Sequence, residues 1–503
     1  MTFESIISLI NSWVWSDALI ALCLGAGIYF SFSTRFLQVR YIKEMIHLLF
    51  KGKSSKKGVS SFQAFAIAIS GRVGTGNIAG VATAIALGGP GAIFWMWVIA
   101  FLGAASAFVE ATLGQIYKEV KGGQYRGGPA YYIEKGIGSK WYASLFAFVT
   151  ILSMSIFLPG VQSHSISASM KNAFGITDFQ LMGGLDVNLI GVFIVLALSL
   201  IIFGGVKRIG KVAEVVVPFM AIAYILMALV IIGLNFTHIP AVITLIIKSA
   251  LGMEQAFAGV LGMAISWGVK RGIYSNEAGQ GTAPHAAAAA EVSHPVKQGL
   301  VQSFSVYIDT LFVCTATAFM ILFTSSYNVQ VPNQILEKGE KPVFIVENLI
   351  IEGVDFVQKG PEYTQYAVAA EFPSIGKEFV AIALMFFAFT TIMAYYYMAE
   401  TNVAYLDKSG KKKYLINILR VTILATAYYA TTITAGAVWT LGDIGVGLMA
   451  WLNVVAILIL RKPALKALKD YKAQKDAGLD PVFNSTKLGI KNATFWEEKK
   501  QSN

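Results

Sequence analysis

Long apolar runs, separated by short clusters of charged residues, recur along nearly the whole chain of 503 residues. A helix needs about 20 consecutive apolar residues to cross the hydrocarbon core of a bilayer. Hydrophobic residues make up 55% of the chain, charged residues make up 14%, and the mean hydropathy is +0.61. A soluble domain has a far more polar composition. The sequence therefore predicts an all-α integral membrane protein.

The runs predict about eleven transmembrane helices, bounded by the flanking charge clusters. We place them near residues 15–34, 61–88, 91–117, 142–168, 188–205, 212–234, 254–272, 299–325, 378–403, 414–435 and 438–460. Most of the Lys and Arg residues fall in loops that would share one side, namely 35–60, 118–141, 206–211, 273–298, 404–413 and the tail from 461.

Positive charge marks cytoplasmic loops. We therefore expect the amino terminus outside and the carboxyl terminus inside a cell membrane, most simply a bacterial plasma membrane. The same topology accounts for the net charge of +11, so no nucleic-acid partner is expected. The expected partners are the lipid bilayer and a small substrate. We expect the protein to function as a monomer.

Glycines interrupt two of the predicted spans. The second span contains SGRVGTGNIAG at residues 70–80, and the seventh contains FAGVLGMAISWG at residues 257–268. Glycine within a helix costs about 1 kcal/mol relative to alanine. Unwound backbone at membrane depth persists only where it is buried in protein or lines a cavity. The sequence therefore predicts two broken helices.

The two interrupted spans start about five spans apart and run in opposite directions, which predicts an inverted repeat of two groups of about five helices. The predicted parts are an extra amino-terminal helix with a basic loop (1–60), a first repeat (61–234), a second repeat (235–460) and a basic tail (461–503). The second repeat includes an outer loop, 326–377, to which we assign no function. Broken helices at matching positions predict a substrate and ion site near the bilayer midplane.

At the first break, residues 74–77 would leave amide groups free for a carboxylate. The carbonyl groups of residues 70–73 would be free for sodium. Close helix packing through small residues is the alternative explanation of the glycines. However, the glycines at 71, 74, 76 and 80 do not share one face of the helix. A nucleotide-binding loop is disfavoured because no strand precedes the segment.

Ionisable and polar residues within membrane spans are candidates for function. Those that the spans enclose are Arg72, Glu110, Gln162, His164, Glu254, Asp309, Glu400 and Arg420. A structural ion pair between Arg72 and Asp309 is one interpretation, and cation binding by Asp309 is the other. We expect Gln162 to hold substrate or bridge helices, and His164 to make a structural hydrogen bond.

Other polar residues have simpler interpretations. Glu110, Glu400 and Arg420 lie near the predicted cytoplasmic ends, where their side chains can reach the interface. Glu254 suits the positive end of its helix. The ninth span carries FFAFTTIMAYYY, with paired threonines in mid-membrane whose hydroxyls can also bond to their own helix. The segment GQGTAPHAAAAAEVSH lacks the lysine of a nucleotide loop and predicts a short cytoplasmic helix near an inner gate.

Two long segments resemble the alanine or glycine:cation symporter family, also called sodium:alanine symporters. They are RVGTGNIAGVATAIALGGPGAIFWMW at residues 72–97 and KRGIYSNEAGQGTAPHAAAAAEVSHPVKQGLVQSFSVYIDTLFVCTATAFMIL at residues 270–322. The resemblance covers about residues 60 to 460 and implies a leucine-transporter-type fold. It also implies sodium-coupled symport of a small neutral amino acid, alanine or glycine, by alternating access, with sodium as the co-transported ion.

The resemblance implies two sets of site residues. The sodium ligands would be the carbonyl groups of Ser70, Val73 and Phe387 with the hydroxyls of Thr390 and Thr391. The substrate pocket would be lined by Thr75, Gly76, Asn77, Gln162, Phe257, Ala258, Gly259, Val260, Thr391 and Tyr395. The family pattern has Trp four positions after the paired threonines, where this chain has Tyr395, so glutamine is an alternative substrate.

Other classes of function remain as alternatives. A channel would conduct without concentrating a substrate, and a sensor would bind the amino acid without moving it. An enzyme is not expected, because the sequence shows no metal-ligand cluster, no paired catalytic carboxylates and no pairing of a nucleophile with a base.

Overall fold

The computed structural model describes residues 3–52, 54–55, 57–180, 186–332, 334, 340–352, 354, 356–407 and 413–501. Of these described residues, 76% are helical. The α-helices are α1 (Phe3–Val14), α2 (Asp17–Ser33), α3 (Leu37–Arg40), α4 (Ile42–Phe50), α5 (Ser61–Arg72), α6 (Val81–Gly88), α7 (Gly91–Ile116), α8 (Pro129–Tyr132), α9 (Lys140–Leu152), α10 (Leu158–Phe174), α11 (Leu189–Ile202), α12 (Gly205–Leu234), α13 (Ile239–Ala250), α14 (Leu261–Asn276), α15 (Ala283–Ala289), α16 (Pro295–Val306), α17 (Thr315–Phe323), α18 (Pro361–Glu371), α19 (Gly376–Leu406), α20 (Lys413–Tyr429), α21 (Ala435–Ile459), α22 (Arg461–Asp476) and α23 (Thr494–Gln501).

Other elements are short. Wider π-helical turns cover Gly76–Gly80, Ile133–Ile137, Ser153–Phe157 and Tyr307–Cys314, and 3-10 turns cover Phe236–His238 and Gln255–Val260. Three antiparallel two-stranded ribbons pair β1 (Glu119–Lys121) with β2 (Gln124–Arg126), β3 (Phe179–Gln180) with β4 (Asp186–Val187), and β5 (Asn328–Gln330) with β6 (Phe344–Glu347).

Among the described residues, seven helical segments are long and apolar enough to cross a membrane. They are Phe3–Ser33, Gly91–Ile116, Lys140–Phe174, Gly205–Leu234, Pro295–Phe323, Gly376–Leu406 and Ala435–Ile459, and shorter apolar helices accompany them. Large apolar side chains stay exposed on the outer surface; Leu200 of α11 is 73% exposed and Phe219 of α12 is 67% exposed. Together with the seven candidate spans, this apolar surface supports the prediction of a multi-span membrane protein.

The first predicted break is present. A capping box between Ser60 and Gln63 starts α5. This helix ends at Arg72, and Val73 adopts an extended conformation. Helical structure resumes in the wide turn Gly76–Gly80 and continues as α6. Residues 73–75 therefore separate two half-helices, as the glycines predicted.

The second break lies elsewhere than predicted. Helix α14 is continuous through most of the segment 257–268, and the chain unwinds only after Asn276. Between α14 and α15, Glu277, Gly279 and Gly281 have φ values of +54°, +82° and +90°. The prediction of a break within 257–268 is therefore wrong, and residues 273–298 are largely buried and partly helical rather than an exposed loop. The short helix expected in that loop is present as α15, and it is buried.

Packing against α7 explains the difference. A Cβ atom added to Gly268 would lie 2.5 Å from the carbonyl oxygen of Ala92, so this glycine allows α14 to approach α7 closely. Further along α7, Gly114 has similarly close contact with Pro284 at the start of α15. Helix α14, residues 277–282 and α15 thus form one path that runs parallel to α7.

The two broken helices lie antiparallel. Gly88 at the end of α6 faces Ala264 near the start of α14, and Gly76 faces Ser275 near its end. At the opposite end of the pair, Val59 forms a β-bridge with Ala290. The unwound segments 73–75 and 277–282 consequently lie at similar depth, where they face each other.

Candidate functional site

Two amide groups freed by the first break are bound by side-chain oxygens. The Gly74 N–H donates to Asn77 Oδ1 at 2.9 Å, and the Thr75 N–H donates to Gln162 Oε1 at 2.9 Å. All four residues are buried. Since a buried amide without a partner is costly, these acceptors hold the unwound backbone in one conformation. The break therefore presents a pair of oriented N–H groups.

The orientation of Asn77 is fixed by Asp309. Asn77 Nδ2 donates to Asp309 Oδ1 at 2.6 Å, and Ser275 Oγ donates to Asp309 Oδ2 at 2.9 Å. A carboxylate only accepts hydrogen bonds, so Asn77 must turn its NH₂ group toward Asp309 and its oxygen toward Gly74. Asp309 thereby connects both broken helices through their side chains.

Arg72 does not form an ion pair with Asp309, which was one of the two interpretations of these residues. Its Nη1 donates to the Gln302 carbonyl at 3.1 Å and to the Ser305 hydroxyl. The guanidinium is buried, and its Nε and Nη2 atoms have no hydrogen-bond partner among the described residues. The carboxylates of Glu277, Glu110 and Asp309 act on it electrostatically, and none of the three forms a hydrogen bond with it among the described residues.

Oxygen atoms from two helices converge at Val73. Thr391 Oγ1 lies 3.3 Å from the Val73 carbonyl oxygen and 2.9 Å from the Phe387 carbonyl oxygen. A Cβ atom added to Gly74 would contact Thr391 Oγ1 and would lie 2.9 Å from Gln162 Oε1. Carbonyl groups of unwound helices, joined by hydroxyls, are ligands that suit Na⁺.

One of the expected sodium ligands is arranged differently. Thr390 Oγ1 donates within its own helix to the carbonyl oxygens of Phe386 and Phe387, each at 3.0 Å, and faces Met220. The predicted ligand atom of Ser70 is its carbonyl oxygen; its hydroxyl donates within α5, to the carbonyl oxygen of Ile67. The structure therefore brings together Val73, Phe387 and Thr391, and it leaves the Thr390 hydroxyl in the bonding pattern of an ordinary helix residue.

The second break is held by groups from α7 and α21. Glu110 Oε2 accepts from the Gly281 N–H at 3.1 Å and from Asn453 Nδ2 at 2.7 Å. Asn453 Nδ2 also donates to the Gly279 carbonyl at 2.9 Å. Glu110 is fully buried, so the expectation that it reaches toward the interface is wrong. Its role is to bind the backbone of the unwound segment.

Helix α19 contributes side chains to both helix breaks. About one turn beyond Thr391, the Tyr395 hydroxyl hydrogen-bonds to the Glu277 carboxylate. Glu277 also lies close to α5, since a Cβ atom added to Gly71 would be 3.4 Å from its Oε2. Tyr395 therefore faces the second break.

The residues expected at the seventh-span break do not reach this site. The Phe257 ring packs on Gly89, at the far end of α6 from Gly74. Gly259 and Val260 belong to the same 3-10 turn, and the side chain of Ala258 lies outside the described part of the chain. The positions that face the first break are instead Ser275 and Glu277.

The residues of the second break, Ser275, Asn276 and Glu277, and its supporting residue Asn453 were not predicted from the sequence, whereas Glu110 was named as a candidate but given a different position. The usable signal was the polar, glycine-containing string NEAGQGT between an apolar helix and an alanine run. The charges of Lys270 and Arg271 concealed it, because they suggested the end of a span. Both are buried against Asp443, with Lys270 Nζ at 2.7 Å and Arg271 Nη1 at 2.8 Å from its oxygens.

Two other intramembrane candidates have structural partners. His164 Nδ1 lies 3.0 Å from the Ala430 carbonyl oxygen, which confirms the predicted structural hydrogen bond. Glu400 forms a buried ion pair with Arg126 at 2.7 Å rather than reaching the interface. These residues hold helices together and lie outside the candidate site.

A multi-span membrane protein with two broken helices that meet at a buried polar site has the organisation of a secondary transporter. The protein is therefore of the transporter class. Comparison with known proteins gives the family: the chain belongs to the sodium:alanine symporter family, which matches residues 1–485.

Three relatives show the extent of the similarity. The putative sodium/proton-dependent alanine carrier protein YrbD of Bacillus subtilis (strain 168) is 61% identical over 489 residues, covering 97% of this chain and 96% of the relative. The sodium/proton-dependent alanine carrier protein of Bacillus sp. (strain PS3) is 52% identical, with coverages of 90% and 97%. The probable sodium/glutamine symporter GlnT of Bacillus subtilis (strain 168) is 45% identical, with coverages of 95% and 93%.

Proposed function

We propose that this protein couples the entry of sodium to the uptake of alanine. Relatives named as alanine carriers are 61% and 52% identical to the chain, whereas the relative named as a glutamine symporter is 45% identical. The observation that carries the proposal is the convergence of Thr391 Oγ1 on the Val73 carbonyl oxygen at 3.3 Å, directly beside the oriented amides of Gly74 and Thr75.

The substrate carboxylate binds at the first break. The N–H groups of Gly74 and Thr75 lie at the start of the half-helix that leads into α6, where the helix dipole favours an anion. Gln162 Oε1 now accepts from Thr75, so a carboxylate would replace this neutral acceptor with a charged one. The substrate ammonium group then faces the second break, where Glu277 supplies a carboxylate. Thr75, Gly76, Asn77, Gln162 and Tyr395 remain in the proposed pocket, and Phe257–Val260 do not.

Sodium binds to the carbonyl groups of Val73 and Phe387 and to the hydroxyl of Thr391. An ion at this point stabilises the unwound conformation of residues 73–75 and so orders the amides that bind the carboxylate. Because each ligand then favours the conformation that the other requires, the two binding equilibria are coupled. Alternating access converts this coupling into accumulation driven by the sodium gradient.

The proposed architecture has about eleven spans, with an inverted repeat built around the breaks at 73–75 and 277–282. The first unit comprises residues 61–234 and the second lies within 235–460. The amino terminus is outside and the basic tail is cytoplasmic, since the positively charged loops mark the inner face. The transporting unit is a monomer.

Substrate identity is tested by competition in proteoliposomes. The initial rate of labelled alanine uptake should require external sodium and should fall when unlabelled alanine or glycine is added. Glutamine should compete more weakly, because the two relatives named as alanine carriers are more similar to this chain than GlnT is. Stronger competition by glutamine than by alanine would reassign the substrate, and uptake that is equal in sodium and choline media would contradict the proposed sodium site.

A further inference from the structure

A basic cavity lies at the end of α2, away from the helix breaks. It has a volume of about 410 Å³ and lies between the turn after α2 and helix α22. Four cationic side chains line it, Arg35 and Arg40 on one wall and Lys469 and Lys472 on the other. None of its lining residues within the described part of the chain is acidic. The cavity therefore has the charge of an anion site.

Nearby acidic groups are engaged elsewhere. Glu44 accepts from Tyr471 at 2.6 Å and pairs with Lys475 at 3.1 Å. Asp470 accepts from Gln474 at 2.7 Å and faces His294. Among the described residues, only the loose pair of Lys472 with Asp476, at 3.7 Å, offsets one of the four cations.

The cavity adjoins a surface that faces lipid. On the last turns of α2, Ile28, Tyr29 and Phe32 are 46%, 41% and 65% exposed, and Phe36 beyond the helix end is 37% exposed. The four cations thus lie close to the level at which an apolar span ends. A soluble anion would need the charges alone, whereas a lipid would use both the charges and the apolar side chains.

The turn that forms one wall is held in an unusual backbone conformation. Arg35 and Phe36 have φ values of +55° and +53°, although neither is glycine. Left-handed backbone at two successive non-glycine residues is costly and persists only where the surroundings fix it. Here the Phe36 N–H donates to Ser31 O at 2.7 Å, and Arg40 Nη1 donates to Arg35 O at 3.3 Å. The conformation directs Arg35 toward the cavity and leaves Phe36 exposed.

From this geometry we infer that the cavity binds the phosphodiester headgroup of an anionic phospholipid, with the acyl chains lying along Ile28 and Phe32. Arginine binds phosphate through paired N–H groups, and lysine contributes point charges. Basic pockets beside a span on the cytoplasmic side are suited to acidic headgroups. The positive-charge topology places this cavity on that side. The lipid would join the turn after α2 to α22 and so anchor the basic tail at the membrane.

The test is lipid retention by the purified full-length protein, measured by native mass spectrometry. Phosphatidylglycerol and phosphatidylcholine are titrated against wild type and against the variant R35Q/R40Q/K469Q/K472Q. The matched control is K211Q/K462Q/K487Q/K491Q, which removes four exposed cations that do not line the cavity. Each Lys or Arg near a membrane surface contributes roughly a fivefold change in affinity for acidic lipid. We expect the cavity variant to bind phosphatidylglycerol at least about tenfold more weakly, with less than about a twofold change in the control.

Equal retention of phosphatidylglycerol by wild type and the cavity variant would overturn the inference. A second arm separates lipid from free anion. Inorganic phosphate at millimolar concentration should not displace the lipid, and displacement would assign the cavity to a soluble phosphate. The milder variant R40Q/K469Q is measured in parallel. If the fourfold variant does not fold, phosphatidylglycerol binding by this double variant is compared with that of wild type.

Discussion

The hydroxyl of Thr391 lies 3.3 Å from the carbonyl oxygen of Val73, although the two residues are 318 positions apart in the chain. The same hydroxyl is 2.9 Å from the Phe387 carbonyl oxygen. This contact joins the middle of α19 to the residue at which α5 unwinds. An ion at this position would therefore stabilise the conformation of the substrate-binding amides.

Replacing Thr391 with alanine should raise the sodium concentration for half-maximal alanine uptake by about tenfold, since one oxygen ligand and one hydrogen bond are lost. Thr391→Ser should restore most of the affinity. Thr390→Ala is the matched control, because that hydroxyl bonds within its own helix. Sodium titrations of initial uptake rates measure all three. A larger effect at Thr390 than at Thr391 would place the ion elsewhere.

Gly74→Ala should abolish transport while the protein still folds. The added methyl group would meet Thr391 Oγ1 and would lie 2.9 Å from Gln162 Oε1, where both substrate and sodium are proposed to bind. Gly80→Ala is the control in the same broken span. Its nearest neighbour, Arg271 Cδ, is 3.9 Å away, so its transport should stay within about twofold of wild type. The measurement is sodium-driven uptake by variants that elute as monodisperse protein. Similar loss in both variants would indicate a general need for glycine in this helix.

Asn77→Ala should raise the KM for alanine by about tenfold, because Asn77 orients the Gly74 amide through its contact with Asp309. If Asp309 acts through Asn77, the effects of Asn77→Ala and Asp309→Asn should not add in the double variant. Kinetics of the two single variants and the double variant form the cycle. Fully additive effects would show that Asp309 acts independently, for example by binding a cation itself.

The sequence predicted the first break well and the second poorly, for physical reasons. Around Gly74 the glycines lie on several faces of the helix, so packing alone could not explain them. In α14, Gly268 has the packing role that was rejected for the first segment. The true second break contains Glu277 and follows Lys270 and Arg271, whose charges resembled a loop.

Contacts between residues that are distant in sequence determine where the second break lies. Asp443 neutralises part of the charge of Lys270 and Arg271, and Glu110 binds the backbone near Gly281. Local hydropathy contains no information about such contacts. The same limit applies to Arg72 and Asp309. The sequence identified both as charges within membrane spans. It could not predict their hydrogen-bond partners, Gln302 and Asn77, because these contacts form only when three helices pack together.

Acid should destabilise the contact between the tail and the membrane domain through His294. This side chain is buried against Tyr471 and Phe483, and burial lowers its pKa from 6.5 to about 4, although Asp470 at 3.4 Å opposes the shift. Between pH 6.5 and 4 the unfolded chain binds a proton at His294 and the folded chain does not. Stability is therefore lost as the pH falls through this range, by about 3 kcal/mol at most.

His294→Asn isolates this contribution. The Val296 N–H donates to His294 Nδ1 at 3.2 Å, and the side-chain oxygen of Asn can replace that acceptor without titrating. When melting temperatures are measured in detergent from about pH 7.5 to 4.5, that of wild type should fall further than that of the variant, because only wild type has a titrating group at this position. Curves that stay parallel across the range would exclude His294 as the titrating group.

Concentrative uptake tests the central proposal most directly. Proteoliposomes with an inward sodium gradient should accumulate labelled alanine above its external concentration, and a sodium ionophore should release the accumulated alanine. A proton gradient of equal size, without sodium, should support less accumulation. If alanine only equilibrates across the membrane under a sodium gradient, the protein does not couple the two fluxes and the proposed symport is wrong.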